Sequence, residues 1–576
     1  MPMKSLRVAA LAAILAACSS GQPIERDAPA TPVAASPAEF DLIIHGGTVH
    51  DGSGAPGRVA DVGVRDGRVA RVGALGAASA SSRIDASGLV VAPGFINVLS
   101  WAPTALLEDG RGMSDIKQGV TLEIFGEGWS EGPLNQAMKD EALRQQGDIK
   151  YDITWTTLGE FLDHLVARGV SPNVASMVGA TTVRIHELGF VDREPTAEEL
   201  EGMRELVRAA MREGALGVGS SLIYAPAFYA KTPELTALVA AAAESGGGYV
   251  SHLRSEAERF LPALDELIMI AHETEAHAEV YHLKAAGERN WPKMAQAIAR
   301  IEAARAEGLD VSANMYTYVA GATGLDASMP PWVQEGGLDA WVERLKDPAM
   351  RAKTIAAMRT PAEDWENLGA MAGSPERIKF IGFKNEALKP LTGKTLAEVM
   401  ALRGSDRENT MIDLVIEDHS RVDTAYFLMS EDNVKLGIRQ PWVAFGSDAE
   451  ASAPEGVFLK SSTHPRAYGN FARLLGKYVR EEGVMSLPEA IRRLTRMPAQ
   501  HWKLAERGCL DPGCHADLVV FDPATIIDHA TFDRPQQYAT GMRHVWVNGV
   551  QVLRDGEHTG AKPGQVVRGP GYRKPD

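Results

Sequence analysis

Tyr249-Val250-Ser251-His252-Leu253-Arg254 and Val280-Tyr281-His282-Leu283-Lys284 are two short apolar runs that each carry a histidine near their end. Between them Phe260, Leu261, Leu264, Leu267 and Ile268 recur at spacings that put them on one face of a helix. The pattern predicts a β-α-β unit with a histidine at the carboxyl end of each of two parallel strands. In a β/α barrel the carboxyl ends of the strands are where active sites are built. Neutral imidazole is a good zinc ligand, and two histidines on successive strands can share one ion. His252 and His282 are therefore the first candidate metal ligands, with Arg254 and Lys284 at matching places beyond them.

Outward from this unit the central chain alternates apolar runs with amphipathic stretches. Strands are predicted at Gly94–Leu99, Thr121–Phe125, Ser176–Val178, Leu216–Ser220, Tyr249–His252, Glu279–Leu283, Val311–Met315 and Trp442–Ser447. Helical patterns such as Ala197–Glu213 and Pro233–Glu244 separate them. Eight βα units predict an α/β fold, a (β/α)8 TIM-like barrel over residues 93–507. The interval 318–440 is far longer than an ordinary connection and reads as an inserted lid. Both ends are rich in strand patterns. Asp41-Leu42-Ile43-Ile44-His45 and the Asp66-Gly67 turn stand at one, Ala516-Asp517-Leu518-Val519-Val520-Phe521 and His544-Val545-Trp546-Val547 at the other. Residues 39–92 and 508–565 are expected to share one small β-sandwich domain.

The chain has 576 residues and a formal charge of −16, which argues against nucleic acid as a partner because phosphates demand a basic surface. Lys4 and Arg7 precede an apolar run, Val8 to Ala17, too short to span a bilayer. Residues 1–17 are expected to be a signal peptide. Leu15-Ala16-Ala17-Cys18 resembles a bacterial lipobox, which implies lipid attachment at Cys18. Loss of Lys4 and Arg7 would then take the charge from −16 to −18. Residues 18–38, rich in Ala, Pro and Ser, read as a lipid-anchored tether. Ser19 suggests, again by resemblance, the periplasmic face of the outer membrane. A lipid anchor would be the protein's sole membrane contact. Cys509 and Cys514 can pair across a turn in an oxidising compartment or remain free; the sequence leaves both open.

Taken together, Val91-Ala92-Pro93-Gly94-Phe95-Ile96-Asn97, Gly217-Val218-Gly219-Ser220-Ser221-Leu222-Ile223-Tyr224-Ala225-Pro226, Ser251-His252-Leu253-Arg254, His282-Leu283-Lys284-Ala285-Ala286-Gly287, Gly446-Ser447-Asp448 and His464-Pro465-Arg466 resemble the amidohydrolase superfamily. More narrowly, they resemble the N-acyl-D-amino-acid deacylases. The likeness implies hydrolysis of N-acyl-D-amino acids to a carboxylate and a free D-amino acid. It also shows a departure. The family's first barrel strand carries His-x-His after an Asp; this chain has Asn97, Leu99 and Trp101 there. Leu and Trp offer zinc no useful lone pair, so one zinc ion is expected rather than two. The family's Cys ligand after the second strand is also missing. Glu127, in Gly126-Glu127-Gly128, takes its place if one residue is deleted, and Glu123 on the same strand competes with it.

Amide hydrolysis needs an activated water, a proton shuttle and a stabilised oxyanion; a divalent metal serves the first and third. Asp448 follows a predicted strand and matches the family's catalytic aspartate, the expected general base. Chemistry and resemblance together make Lys284 and Arg466 candidates to hold a substrate carboxylate, and Tyr224 a donor to the oxyanion. Arg254 can instead be structural, paired with an acid such as Glu256. His272 and His277 read as exposed positions without a role. Two other readings stay open: the same chemistry on a peptide or cyclic amide, and a catalytically inactive ligand-binding lipoprotein.

Overall fold

Residues 38–574, apart from residue 363, are described by a computed structural model. The predicted signal peptide, Cys18 and the tether lie outside the described residues. Among the described residues no helix is long and apolar enough to cross a membrane.

Eight parallel strands close into a barrel. In chain order they are Phe95–Asn97, Val120–Phe125, Asn173–Ser176 continuing into Val178–Gly179, Gly217–Ser221, Gly248–His252, Ala278–Val280, Val311–Met315 and Val443–Phe445. All neighbouring strands are parallel. A single parallel bridge, Ser100 to Ala449, joins the first to the last. Val120–Phe125 and Gly248–His252 are buried at every residue, as strands covered on both faces must be. The sixth strand is shorter than predicted. It ends at Val280, and His282 follows it in an irregular turn with φ +36°.

Strand register sorts the side chains. Val250, Glu279 and Ser312 are register partners, so they share one face of the sheet. Val250 packs in the barrel's interior with Ile96, Leu122, Ala175 and Ala444. Tyr249, Ala278 and Val280 face outward and pack against the surrounding helices. Those helices start where sequence chemistry places them: Leu158–Arg168 and Ala197–Arg212 carry reciprocal Thr–Glu caps, Thr157 with Glu160 and Thr196 with Glu199. The helix Arg496–His501 supplies Met497 and Ala499 to the interior cluster, and Trp502 follows it there.

The remaining strands of both ends form one sheet. Val90–Pro93 pairs antiparallel with Leu518–Phe521, which joins the amino-terminal strands to the carboxyl-terminal ones. The predicted hairpin turn has φ +50° at Asp66 and +71° at Gly67, the signs that a two-residue turn matching strand twist requires. Cys509 and Cys514 form a disulfide with Cα atoms 6.1 Å apart. Between the seventh and eighth barrel strands lies a long insertion with its own antiparallel sheet, Gly321–Gly324, Asp423–Tyr426 and Ile378–Gly382.

Candidate active site

Glu127, His252 and His282 converge at the carboxyl end of the barrel. Glu127 Oε1 lies 3.1 Å from His252 Nδ1 and 3.0 Å from His282 Nε2. All three donor atoms fall within 4.8 Å of one another, and all three residues are buried. Glu123 is not part of this group. Its Oε2 instead accepts from Asn97 Nδ2 at 2.9 Å, deeper in the barrel beside Asp115. Burial raises both carboxyls there, Asp115 further through the charge of Glu123, so the buried pair favours holding a proton.

Local backbone explains why Glu127 arrives. Gly126 and Gly128 both have positive φ, +102° and +74°. A Cβ on Gly126 would press on Met177 O and one on Gly128 would overlap Ser221 Oγ. Glycine on each side lets the chain fold sharply and aim one carboxylate at the two imidazoles.

A second carboxylate backs the histidines. Glu256 Oε1 is 3.0 Å from His282 Nδ1, and its Oε2 is 3.7 Å from His252 Nε2. Lys284 Nζ donates to Glu256 Oε1 at 2.6 Å and to the carbonyl of His282 at 3.1 Å. It also lies 2.7 Å from His282 Nδ1. His282 Nδ1 thus faces both Glu256 Oε1 and Lys284 Nζ, and Lys284 serves as the counter-charge to Glu256. Carboxylates behind histidines in this way fix tautomer and ring orientation for a metal. Burial alone would raise Glu127 and Glu256, but the cationic neighbours win. His282 and His252 hold Glu127 well below the ordinary range, and Lys284 with both histidines does the same for Glu256. Burial and Lys284 push His282 down, yet Glu256 and Glu127 outweigh them and lift it to about 9. Two nitrogens and an oxygen around one point, backed by a carboxylate, are a donor set that fits zinc.

Asp448 stands beside this group, with φ +50°. Its Oδ1 accepts from Trp101 Nε1 at 3.1 Å, and the same N–H lies 3.0 Å from Glu127 Oε2. The indole thus bridges the candidate ligand and the candidate base. Asp448 Oδ2 is 2.6 Å from Arg466 Nη1. Burial raises the Asp448 carboxyl despite the pull of Arg466. Asn97 holds the preceding residue: its Oδ1 accepts from Ser447 N at 2.9 Å and its Nδ2 donates to Ser447 Oγ at 2.8 Å.

Tyr224 sets its ring edge against His252, centroids 5.3 Å apart. Arg421, from the insertion, lies over the ring of Tyr224 at 4.9 Å and pairs with Asp326 at 2.9 Å. Arg466 and Lys284 both face the ring of Tyr316, at 4.5 and 5.7 Å. Thus the structure gathers Glu127, His252, His282, Lys284, Tyr224, Asp448 and Arg466 into one region.

Two expectations are corrected. Arg254 pairs with Glu266, at 2.9 Å through Nε, and not with Glu256; Glu256 is turned inward to the histidines. His277 is buried, packed against Trp502 and His501, because it directly precedes a barrel strand and lies under the barrel beside the helix Arg496–His501. Glu256, Tyr316 and Arg421 went unnoticed as site residues. Glu256 had one legible signal, its place four residues after His252; Tyr316 and Arg421 had none.

Residues 83–553 match the Amidohydrolase family. The chain belongs to this family. The amidohydrolase is 35% identical to a D-aminoacylase of Alcaligenes xylosoxydans xylosoxydans, over 92% of this chain and 97% of that one. It is also similar to a solved D-aminoacylase structure (33% identity, TM-score 0.76, 92% and 100% of the two chains). That protein is described as having a binuclear metal centre activated by one metal and attenuated by a second. An N-acyl-D-glutamate deacylase from Bordetella bronchiseptica, complexed with zinc and a phosphonate mimic of the tetrahedral intermediate, aligns at 31% identity, TM-score 0.74, over 92% and 99%.

Proposed function

We propose that this amidohydrolase hydrolyses N-acyl-D-amino acids with one zinc ion in its catalytic centre. The observation that carries the reading is the convergence of Glu127, His252 and His282 with Asp448 held beside them through Trp101. Zinc bound there supplies Lewis acidity toward the amide carbonyl and makes water a stronger acid. The chain's own groups do the rest. Asp448 takes a proton from the attacking water and returns it to the nitrogen as the C–N bond breaks. A carboxyl raised by burial suits both halves of that transfer. Trp101 and Arg466 each hold one of its oxygens and fix its direction. Arg466 Nε is buried without a hydrogen-bond partner among the described residues, so the guanidinium has capacity left for the substrate carboxylate. Lys284, which like Arg466 lies by the ring of Tyr316, supports that charge, and Tyr224 beside His252 steadies the oxyanion. D-amino acids as products follow from likeness to the D-aminoacylase.

One zinc is favoured over two by Trp101. Its N–H already bridges Glu127 and Asp448, taking up acceptor capacity of both carboxylates, and Leu99 offers no ligand atom. In the Leu99→His, Trp101→His double variant the metal content should rise by one ion per chain; an unchanged content would mean that more than these two residues bars the second ion. For location, attachment through a lipid at Cys18 to the periplasmic face of the outer membrane remains our proposal. Cys18→Ala should release the protein from the membrane fraction.

The decisive assay follows amine release from N-acetyl-D- and N-acetyl-L-amino acids before and after chelation and zinc restoration. Zinc-restored release from the D pool alone is expected. Release from neither pool, by protein that keeps zinc at Glu127, would move the activity to a peptide or cyclic amide; no zinc there and no release would leave a ligand-binding protein.

A further inference from the structure

At the opposite end of the barrel from Asp448, three more metal-ligating side chains meet. His277 directly precedes the sixth barrel strand, Glu279 lies within it, and His501 ends the helix Arg496–His501. Glu279 Oε2 is 3.7 Å from His277 Nε2 and 3.6 Å from His501 Nδ1, and the three donor atoms all lie within 4.8 Å of one another. Ligand atoms around a tetrahedral zinc stand roughly 3.3 Å apart, given bonds of about 2.0–2.1 Å. Both Glu279 contacts stand within a few tenths of an ångström of that spacing, and the two histidine nitrogens lie within 4.8 Å of each other.

The groups behind these atoms are arranged as in a metal site. Asp310 Oδ1 lies 3.1 Å from His277 Nδ1, the ring nitrogen other than the one nearest Glu279. Asn314 Nδ2 donates to Glu279 Oε1 at 2.7 Å and leaves Oε2 to the histidines. Ser312 Oγ closes another side, 3.0 Å from that Oε2 and 3.3 Å from His277 Nε2. His501 Nδ1 is buried without a hydrogen-bond partner among the described residues. Glu279 is fully buried, and no Lys or Arg among the described residues pairs with it. A buried carboxylate needs a counter-charge, which the two histidines supply when protonated and a bound cation would supply in their place. Asp310 and the rim of His501 reach solvent, which gives an ion a way in.

We propose that His277, Glu279 and His501 bind a divalent cation of zinc type, at a structural site separate from the catalytic centre. The ion would tie the helix under the barrel to its sixth strand, where Trp502 and Met497 already pack. Asn314 links the two ends: its Nδ2 donates to Glu279, and its Oδ1 accepts from the backbone N of His282 at 2.8 Å.

The test is to strip the full chain with a chelator, refill it with zinc alone, and count ions per chain. Cobalt substitution would report tetrahedral ligand fields in parallel. Wild type is expected to hold one ion more than His501→Ala, and zinc should raise the melting temperature of wild type by more. Hydrolysis by zinc-loaded His501→Ala should be unchanged. Glu279→Gln should lose the same ion; His501→Ala, at a partly exposed helix end, keeps the test alive if Glu279→Gln does not fold. Equal ion counts in wild type and His501→Ala would overturn the proposal and make the cluster a histidine–carboxylate charge network. Glu127→Ala keeps the two sites distinguishable: it should remove the other ion and leave this one in place.

Discussion

At the scale of single residues, Glu256 and Asp448 make separable predictions. Glu256 touches both imidazoles from behind but is not itself part of the donor set. Glu256→Gln should leave zinc stoichiometry at saturation unchanged and weaken zinc affinity by about 10–100-fold, the usual effect of losing an orienting partner. Competition with a chelator of known affinity would read this directly. Asp448→Asn keeps the shape and removes the proton carrier. Its kcat should fall by about 10²–10⁴-fold while zinc content stays at the wild-type value, measured by elemental analysis on the same sample. Residue identity at these places was legible in part. His252, His282 and Asp448 sit near strand ends, where periodicity alone points to a site. Glu127 could not be separated from Glu123 in one dimension, because both lie within five positions on the same strand and loop. The separation is one of position along the barrel: Glu123 stays within the strand against Asn97, and Glu127 lies in the loop beyond its end, beside the histidines.

The decisive element is the loop after the second barrel strand. Its two positive-φ glycines let Glu127 cross to strands five and six. Gly128→Ala adds a Cβ that overlaps Ser221 and forces a left-handed backbone on alanine, at a cost of at least ~1–2 kcal/mol. Both a lowered melting temperature and weakened zinc binding are expected, since the strain falls on the ligand's own loop. Full zinc affinity in a destabilised Gly128→Ala would show that the loop's strain does not reach Glu127. The sixth strand teaches the converse lesson. Its apolar run promised regular pairing as far as Leu283, yet pairing stops at Val280 and His282 takes φ +36°. Its backbone N is claimed by the side chain of Asn314 on the next strand, a contact no window on the sequence contains.

For the whole molecule, the insertion bears on the site through the buried acid Glu366 as well as through Arg421. Glu366 accepts hydrogen bonds from Ser255 Oγ at 2.6 Å and Ala257 N at 2.8 Å, and another from Glu256 N. It therefore anchors the loop that presents Glu256. Burial and then the charge of Glu256 raise its carboxyl from 4.5 to about 7, against those hydrogen bonds. With a folded value above the unfolded one, its contribution is fully present below about 4.5 and is lost as pH rises through about 7. Glu366→Gln removes this titration. The melting temperature of Glu366→Gln relative to wild type should therefore climb between about pH 5 and 8; a constant difference over that range would contradict the assignment.

The sequence by itself determined the barrel, the shared β-domain of the two ends, and the pairing of His252 with His282. Those follow from hydrophobic period, turn chemistry and strand spacing, which are local properties. Tertiary structure alone decided which carboxylate meets the histidines. It also decided that Trp101 bridges Glu127 to Asp448, that Arg254 turns away to Glu266, and that His277 is buried beside His501. Each of these joins residues distant in the chain or chooses between neighbours by the direction of a side chain. Closure of the barrel fixes those directions, and no stretch of sequence carries them.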